Sequence, residues 1–230
     1  MVGQFIEGLN VADLAWGTAS AATVTLSFWV RSSLTGTFGG AFSNSASNRS
    51  YPFTYTINSA NTWEQKTITV AGDTSGTWLT TSGIGIKVWF GLGVGSTYSG
   101  TAGSWSGNTY LSATGATSVV GTNGATFYIT GVQLEAGSAA TPFENRSYGT
   151  ELSLCQRYYY VQASYAFNAG NSTIGPMSLN TSTDGRIFLT FPIEINENPN
   201  FLSIKFSHLI FIFTYLPFSE ILEDKLIIFG

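Results

Sequence analysis

The 230-residue chain sets 9 Lys and Arg against 13 Asp and Glu, a net charge of −4, and is only 10% charged where an average soluble domain reaches about 25%. Its 43% hydrophobic content, with 17 Phe, 11 Tyr, 6 Trp and 26 Gly, demands a buried core and excludes disorder. No run of Lys or Arg offers the electrostatic footprint of phosphate binding, so nucleic acid is not an expected partner, and the single Cys155 excludes an internal disulfide and a cysteine-based zinc site.

Residues 1–7 lack the basic stretch, apolar segment and small-residue cleavage site of a secretory signal, so no export address is expected. Apolar and polar residues then alternate with period two over 23–31, 51–57, 64–70, 84–92 and 126–134, which predicts half-buried strands. Segments rich in Gly, Ser, Asn and Thr at 32–50, 71–76 and 93–124 are expected to be turns and loops. One short helix is expected at 149–160. Several short strands with glycine-rich connections predict an all-β sandwich or barrel.

Composition changes near Gly185. Of the 26 glycines, 25 lie at or before it, and 186–229 contains no Gly, Ala, Val or Trp. The segment 186–230 is therefore expected to be an atypical tail that does not continue the sandwich, consistent with a frameshifted reading frame. Its apolar run, 202–218, is interrupted by Lys205, His208 and Pro217, so no membrane insertion is expected.

Strand parity, which sends successive side chains to opposite faces, supplies an expected core of Phe28, Val30, Ile68, Ile86, Val88, Phe90, Phe127 and Ile129. On the first strand it turns Trp29 and Arg31 away from that core. On the fourth it does the same to Lys87 and Trp89. If those two strands are neighbours in one sheet, the indoles form a platform flanked by two cations.

Candidate chemistry is sparse. The only histidine, His208, lies in the tail, which argues against a Ser-His-Asp or Cys-His mechanism. Glu135 and Glu144 are the best candidates for a glycosidase carboxylate pair, with a structural or surface role weighed against it. The run 91–96, Gly-Leu-Gly-Val-Gly-Ser, lacks the following helix that a phosphate loop needs and reads as a strand end and loop. Asp73-Thr74-Ser75-Gly76 has too few neighbouring acids for calcium and reads as a turn. The sequons at Asn48, Asn145, Asn171 and Asn180 carry little meaning without an export signal. Aromatic residues remain: sugar sites combine flat rings with fixed hydrogen-bonding groups, and Trp29, Arg31, Lys87 and Trp89, with Tyr98 and Trp105 in the long loop, supply both. Packing under loops or at a subunit contact is the alternative role for these rings.

Three segments carry a resemblance. Ile6-Glu7-Gly8-Leu9-Asn10 with Asp13-Leu14-Ala15-Trp16-Gly17, then Leu26-Ser27-Phe28-Trp29-Val30-Arg31-Ser32, and Gly131-Val132-Gln133-Leu134-Glu135-Ala136-Gly137 followed by Thr141-Pro142-Phe143-Glu144 resemble tail-fibre-type proteins of phages and prophages. Asn61-Thr62-Trp63-Glu64 and Lys66-Thr67-Ile68-Thr69-Val70 are similar to an internal strand of that family's module, and Leu154-Cys155-Gln156-Arg157-Tyr158-Tyr159 to the junction after it. The resemblance covers residues 4–160 and implies a jelly-roll β-sandwich akin to carbohydrate-binding modules. It divides the chain into a module at 1–147, a fibre-type junction and start of a β segment at 148–185, and the tail at 186–230. It further implies a virion location, a trimeric assembly and a non-enzymatic role in binding cell-surface glycan. A structural fibre domain whose aromatics pack on sister subunits is one alternative, and a glycan-cleaving enzyme another. The module is expected to begin internally and to lack an edge strand. The positions matching a calcium-binding Asp are Thr130 and Gly131, so no cofactor is expected.

Overall fold

Alternation of large apolar and small or polar side chains organises the strands. The computed structural model describes residues 1–158, together with the backbone strands within 177–187. Two units result, Met1–Glu144 and Asn145–Gly230.

In the first unit, β1 (Val2–Glu7), β2 (Val24–Ser32), β3 (Gly36–Ser43), β4 (Ser50–Ile57), β5 (Glu64–Val70) and β6 (Ile84–Gly91) are followed by the two-residue strands β7 (Ser99–Gly100) and β8 (Ser112–Ala113), then by β9 (Phe127–Ala136). They form a four-stranded sheet in the order β1-β6-β3-β4 and a three-stranded sheet in the order β5-β2-β9. Every pairing within these two sheets is antiparallel. β7 and β8 form a separate parallel pair. Apart from the β3–β4 hairpin, each connection between successive long strands passes from one sheet to the other.

The inner faces of both sheets meet in one core. Val24, Leu26, Phe28 and Val30 of β2 are fully buried, as are Phe38 and Phe42 of β3, and Ile86, Val88 and Phe90 of β6 are nearly so. Phe28 reaches across to Phe90 and Tyr55, with ring centroids 5.0 and 5.1 Å apart in edge-to-face contact. Burial of each such side chain contributes about 1.5–3 kcal/mol, which is what drives the two sheets together. The other expected core residues, Ile68, Phe127 and Ile129, are partly buried and packed against this cluster.

The 3-10 turn Gly8–Leu14 follows β1 and leads to Trp16, whose indole packs edge-on against Trp78 and Trp105 at 4.7 and 5.3 Å. The Leu14-Ala15-Trp16 part of the first motif therefore joins the core: Leu14 and Trp16 are both buried. The second unit contains α1 (Tyr148–Gln156), opened by Ser147 accepting the Thr150 N–H, and the antiparallel pair β10 (Met177–Thr181) and β11 (Asp184–Ile187).

Several boundaries differ from expectation. Val2–Glu7 forms an edge strand outside the expected strand segments, and β3 occupies the middle of the supposed turn segment 32–50. β3 was obscured by Gly39 and Gly40. A Cβ at Gly40 would collide with Phe53 and the Trp89 carbonyl, and one at Gly39 with Ser112, so glycine here serves close approach inside a sheet. Of the tail 186–230, only Arg186 and Ile187 fall among the described residues, and His208, Asn171 and the rest of the tail lie outside them.

Candidate ligand-binding face

β2 and β6 lie in different sheets, so Trp29 and Trp89 do not share a face and no joint platform exists. Parity on each strand is as expected, but the two outward faces point away from each other across the core. Each pair then meets a different environment.

Lys87 and Trp89 are engaged by their own chain. Lys87 Nζ donates to the Ser45 carbonyl at 2.6 Å and to Ser47 Oγ at 3.0 Å, and lies 5.8 Å from the centre of the Phe5 ring. Its partial burial lowers the ammonium pKa. The Trp89 indole donates to Ser43 Oγ at 3.1 Å and meets Phe5 edge-on at 5.4 Å. The indole lies across the neighbouring strand β1 at Gly3, its partner in register, so closely that a Cβ there would overlap the ring. These residues fasten β1 and the 44–48 loop to the sheet.

Trp105 likewise packs inward, donating to the Ala71 carbonyl at 2.8 Å and touching Tyr51, Trp16 and Trp78. Tyr98 is exposed on the long loop, where its carbonyl accepts the Leu111 N–H at 2.8 Å. Beside it, a groove of about 490 Å³ is lined by Gly93–Ser96, Ser99, residues 112–116 and Ser118, which offer hydroxyls and backbone but no ring. The remainder of this loop lies on the outer face of the four-stranded sheet, where Ser50 Oγ donates to the Asn108 carbonyl at 2.6 Å and Thr109 Oγ1 to the Ser47 carbonyl at 2.6 Å.

The outer face of the three-stranded sheet is half covered. After β9 the chain returns over it. Thr25 Oγ1 donates to the Gly137 carbonyl at 2.8 Å, and the Glu135 carboxylate accepts the Thr141 N–H at 3.1 Å together with its hydroxyl. Gln133 Oε1 accepts the Glu144 N–H at 2.8 Å. Thr25 and Ser27 of β2, outward by parity, are buried, as this returning segment explains.

A bulge makes the arrangement possible. β9 places two residues, Gly131 and Val132, opposite the single Phe28, and Gly131 takes the left-handed conformation with φ +57°. The extra residue reverses parity beyond it: Leu134 turns in beside Leu26, while Gln133 and Glu135 turn out towards the returning segment. The most distinctive stretch of the sequence is therefore a clamp. Glu135 is held below the ordinary carboxylate range by hydrogen bonds from Gln133 and Thr141. That is the opposite direction from the raised pKa of a glycosidase general acid.

Beyond the clamp the same face is open. Trp29 is 41% exposed at its edge, with Gln65 of β5 on one side and Thr130 of β9 on the other. Arg31 stands next on β2, opposite Tyr128, with its guanidinium carbon 5.4 Å from the centre of the Tyr128 ring. Continuing the β2–β5 register puts Trp63 on the other side of Arg31, and the Trp63 and Tyr128 rings approach to 6.4 Å. Both rings are exposed. Sequence reasoning singled out neither for binding. The missed signal was register: Tyr128 has the outward parity of its strand and pairs with Arg31, and Trp63 stands one residue before β5.

Asp73, weighed as a calcium ligand, is buried against Arg49 in a bidentate pair, with Nε to Oδ2 at 2.7 Å and Nη2 to Oδ1 at 2.6 Å. Its Oδ1 also accepts the Ser75 N–H at 3.1 Å, which makes the 73–76 segment the expected turn. Among the described residues no group of three or more His, Cys, Asp and Glu could hold a metal ion, and no helix is long and apolar enough to cross a membrane. Comparison of the chain with protein-family models, with curated proteins and with solved structures found no match.

Proposed function

We propose that the first unit is a non-catalytic glycan-binding module of jelly-roll type, from a tail fibre of a phage or prophage, and that it recognises a cell-surface glycan. The observation carrying this reading is the open half of the outer face of β5-β2-β9. Trp29, Trp63 and Tyr128 present exposed rings there around a cation, and Gln65 and Thr130 supply hydrogen-bonding groups alongside. A sugar ring stacks its C–H face on an indole while its hydroxyls take such donors and acceptors. Such stacking contributes about 0.5–1.5 kcal/mol, judged from aromatic pairs, so each site is weak and a trimeric fibre in the virion gains avidity through effective concentration. The ligand role rests on Trp29 and Arg31. Lys87, Trp89 and Trp105 act in packing.

The test is a glycan array probed with the full chain. Trp29→Ala is expected to abolish binding while leaving the far-ultraviolet circular dichroism unchanged. Trp89→Ala is expected to lower stability without altering glycan preference. Equal binding by the unaltered chain and Trp29→Ala would remove the reading.

One observation favours a second reading, a fibre domain that uses this face against sister subunits. Phe143 is also exposed, lies with Trp29 beside Gly131, and extends the apolar surface of that indole. Light scattering of the chain and of Trp29→Ala separates the two, because loss of oligomer in the variant, with no glycan bound by either, is expected only on the structural reading.

A further inference from the structure

Arg31 is placed differently from the other strand cation of the sequence reading. Lys87 directs its donors to Ser45 and Ser47, whereas the Arg31 side chain makes no hydrogen bond and no ion pair among the described residues. Its Nε is buried without a partner, so ring packing rather than hydrogen bonding holds the guanidinium. The two Nη nitrogens remain open to solvent. They form the end-on fork of the guanidinium, two parallel N–H groups whose spacing matches the two oxygens of a carboxylate.

No carboxylate of the described chain serves that fork. Glu135, the acid of the same sheet face, pairs with Thr25, six residues along β2 and thus about 20 Å away at roughly 3.3 Å per residue. That distance exceeds the screening length of about 8 Å at physiological ionic strength. Glu64 lies opposite Val30, on the other parity, with its oxygens engaged by Asn58, Ser59 and Lys66. A fixed, uncompensated cation thus stands next to Trp29, the indole of β2.

We propose that this face takes an acidic saccharide, one pyranose ring stacking on Trp29 while its carboxylate accepts end-on hydrogen bonds from Arg31. The inference rests on the glycan-binding reading and narrows it to carboxylated sugars. The ligand requirement follows from geometry: a ring on Trp29 puts an equatorial carboxylate one strand residue-pair away, where Arg31 follows on the same face.

The experiment titrates the full chain with oligosaccharides ending in glucuronate, galacturonate, mannuronate or sialate, each beside its methyl ester, and with neutral counterparts. At least one acid is expected to bind about tenfold or more tightly than its ester, the factor for losing a charge-assisted bond. Arg31→Gln should remove that ratio by weakening the acid and not the ester, and Arg31→Lys should restore part of it. The acid–ester contrast is measured on the unaltered chain, so it stands even if a variant unfolds. Acid and ester bound equally, with Trp29→Ala abolishing both, would overturn the acidic preference and leave the glycan reading in place. No saccharide bound at all would overturn both. A single-stranded oligonucleotide bound through Trp29 and Arg31 in place of any sugar would overturn both as well.

Discussion

Gln133 accepts the backbone N–H of Glu144 through Oε1 at 2.8 Å, tying strand β9 to the chain eleven residues further on. With Glu135 holding Thr141, this bond decides how much of the outer face is covered: Thr25 and Ser27 lie beneath the returning segment, and Trp29 stands at its margin.

Gln133→Ala is accordingly expected to loosen 141–144 while leaving the sheet paired. Gln133 also donates through Nε2 to Thr141 Oγ1 and the Pro142 carbonyl, and each exposed hydrogen bond contributes about 0.5–1.5 kcal/mol, so a loss of stability of at least that size is expected in urea. Amide exchange supplies the local readout. Glu144 should lose protection in the variant while Leu26 and Phe28 keep theirs, and unaltered exchange at Glu144 would show that other contacts hold the segment.

Glu64 makes the β4–β5 connection sensitive to acid. Its carboxylate accepts from Lys66 Nζ at 2.6 Å and from the Asn58 and Ser59 N–H groups, both at 2.8 Å, and these bonds, Lys66 first, hold its pKa down at about 2 from an ordinary 4.5. A carboxylate whose pKa is depressed on folding stabilises fully above its unfolded value and loses that contribution as pH falls through the folded one. The loss is expected between pH 4.5 and about 2. Glu64→Gln should flatten the stability profile in that window. Carbon-13 NMR of the carboxyl group gives the direct measurement, and a midpoint near 4.5 would sink the prediction.

Arg49 and Asp73 test the buried electrostatics. Asp73 is only 2% exposed and the Arg49 side chain 20%, so removing one partner leaves an uncompensated charge. Asp73→Ala is expected to cost about 3–5 kcal/mol. Replacing both, as Asp73→Ala with Arg49→Met, should cost less than the single change, because no charge remains stranded. Denaturant midpoints of Asp73→Ala, Arg49→Met and the double variant decide it. Additive losses would mean that the two groups do not act as a pair.

Most of the β framework was legible because alternation records which face is buried. β5 occurs at 64–70 as expected, and β2, β4, β6 and β9 depart from their expected ends by a residue or two. β3 was hidden by the need for backbone contact at Gly39 and Gly40, where the lack of a side chain reads locally as a turn. The site was only partly legible. Parity correctly turned Trp29 and Trp89 outward, but parity says nothing about what then covers a face. The Trp89 ring packs across Gly3 and against Phe5 of the neighbouring β1, and the segment after β9 covers Thr25 and Ser27. Nor does alternation identify the neighbouring strand. Placing β2 and β6 in one sheet required strand order, a long-range property that no window of sequence contains. The Gly131–Glu144 motif stood out in the sequence, and its clamp role emerged only from the bulge.

Gly131 joins the fold to the face, and its substitution is the most discriminating change. The residue sits at φ +57°, where an L-residue other than Asn or Asp costs about 1–2 kcal/mol. A Cβ there would also lie 3.3 Å from Trp29 Cδ1, closer than the indole accepts without shifting. Gly131→Ala is therefore expected to be destabilising by at least that backbone cost. Gly131→Asn should lose less through the backbone while still displacing Trp29. The comparison separates two effects in one position: stability should fall more for alanine, whereas Trp29 fluorescence and any glycan affinity should change in both variants. If strand β9 instead slipped by one residue to remove the bulge, Leu134 would turn outward and Gln133 inward, and the clamp would open. Loss of Glu144 protection together with exposure of Leu134, read by amide exchange and side-chain NMR, would report that slip. Its absence in Gly131→Asn is the expected result, because Leu26 and Leu134 hold the register from the core side.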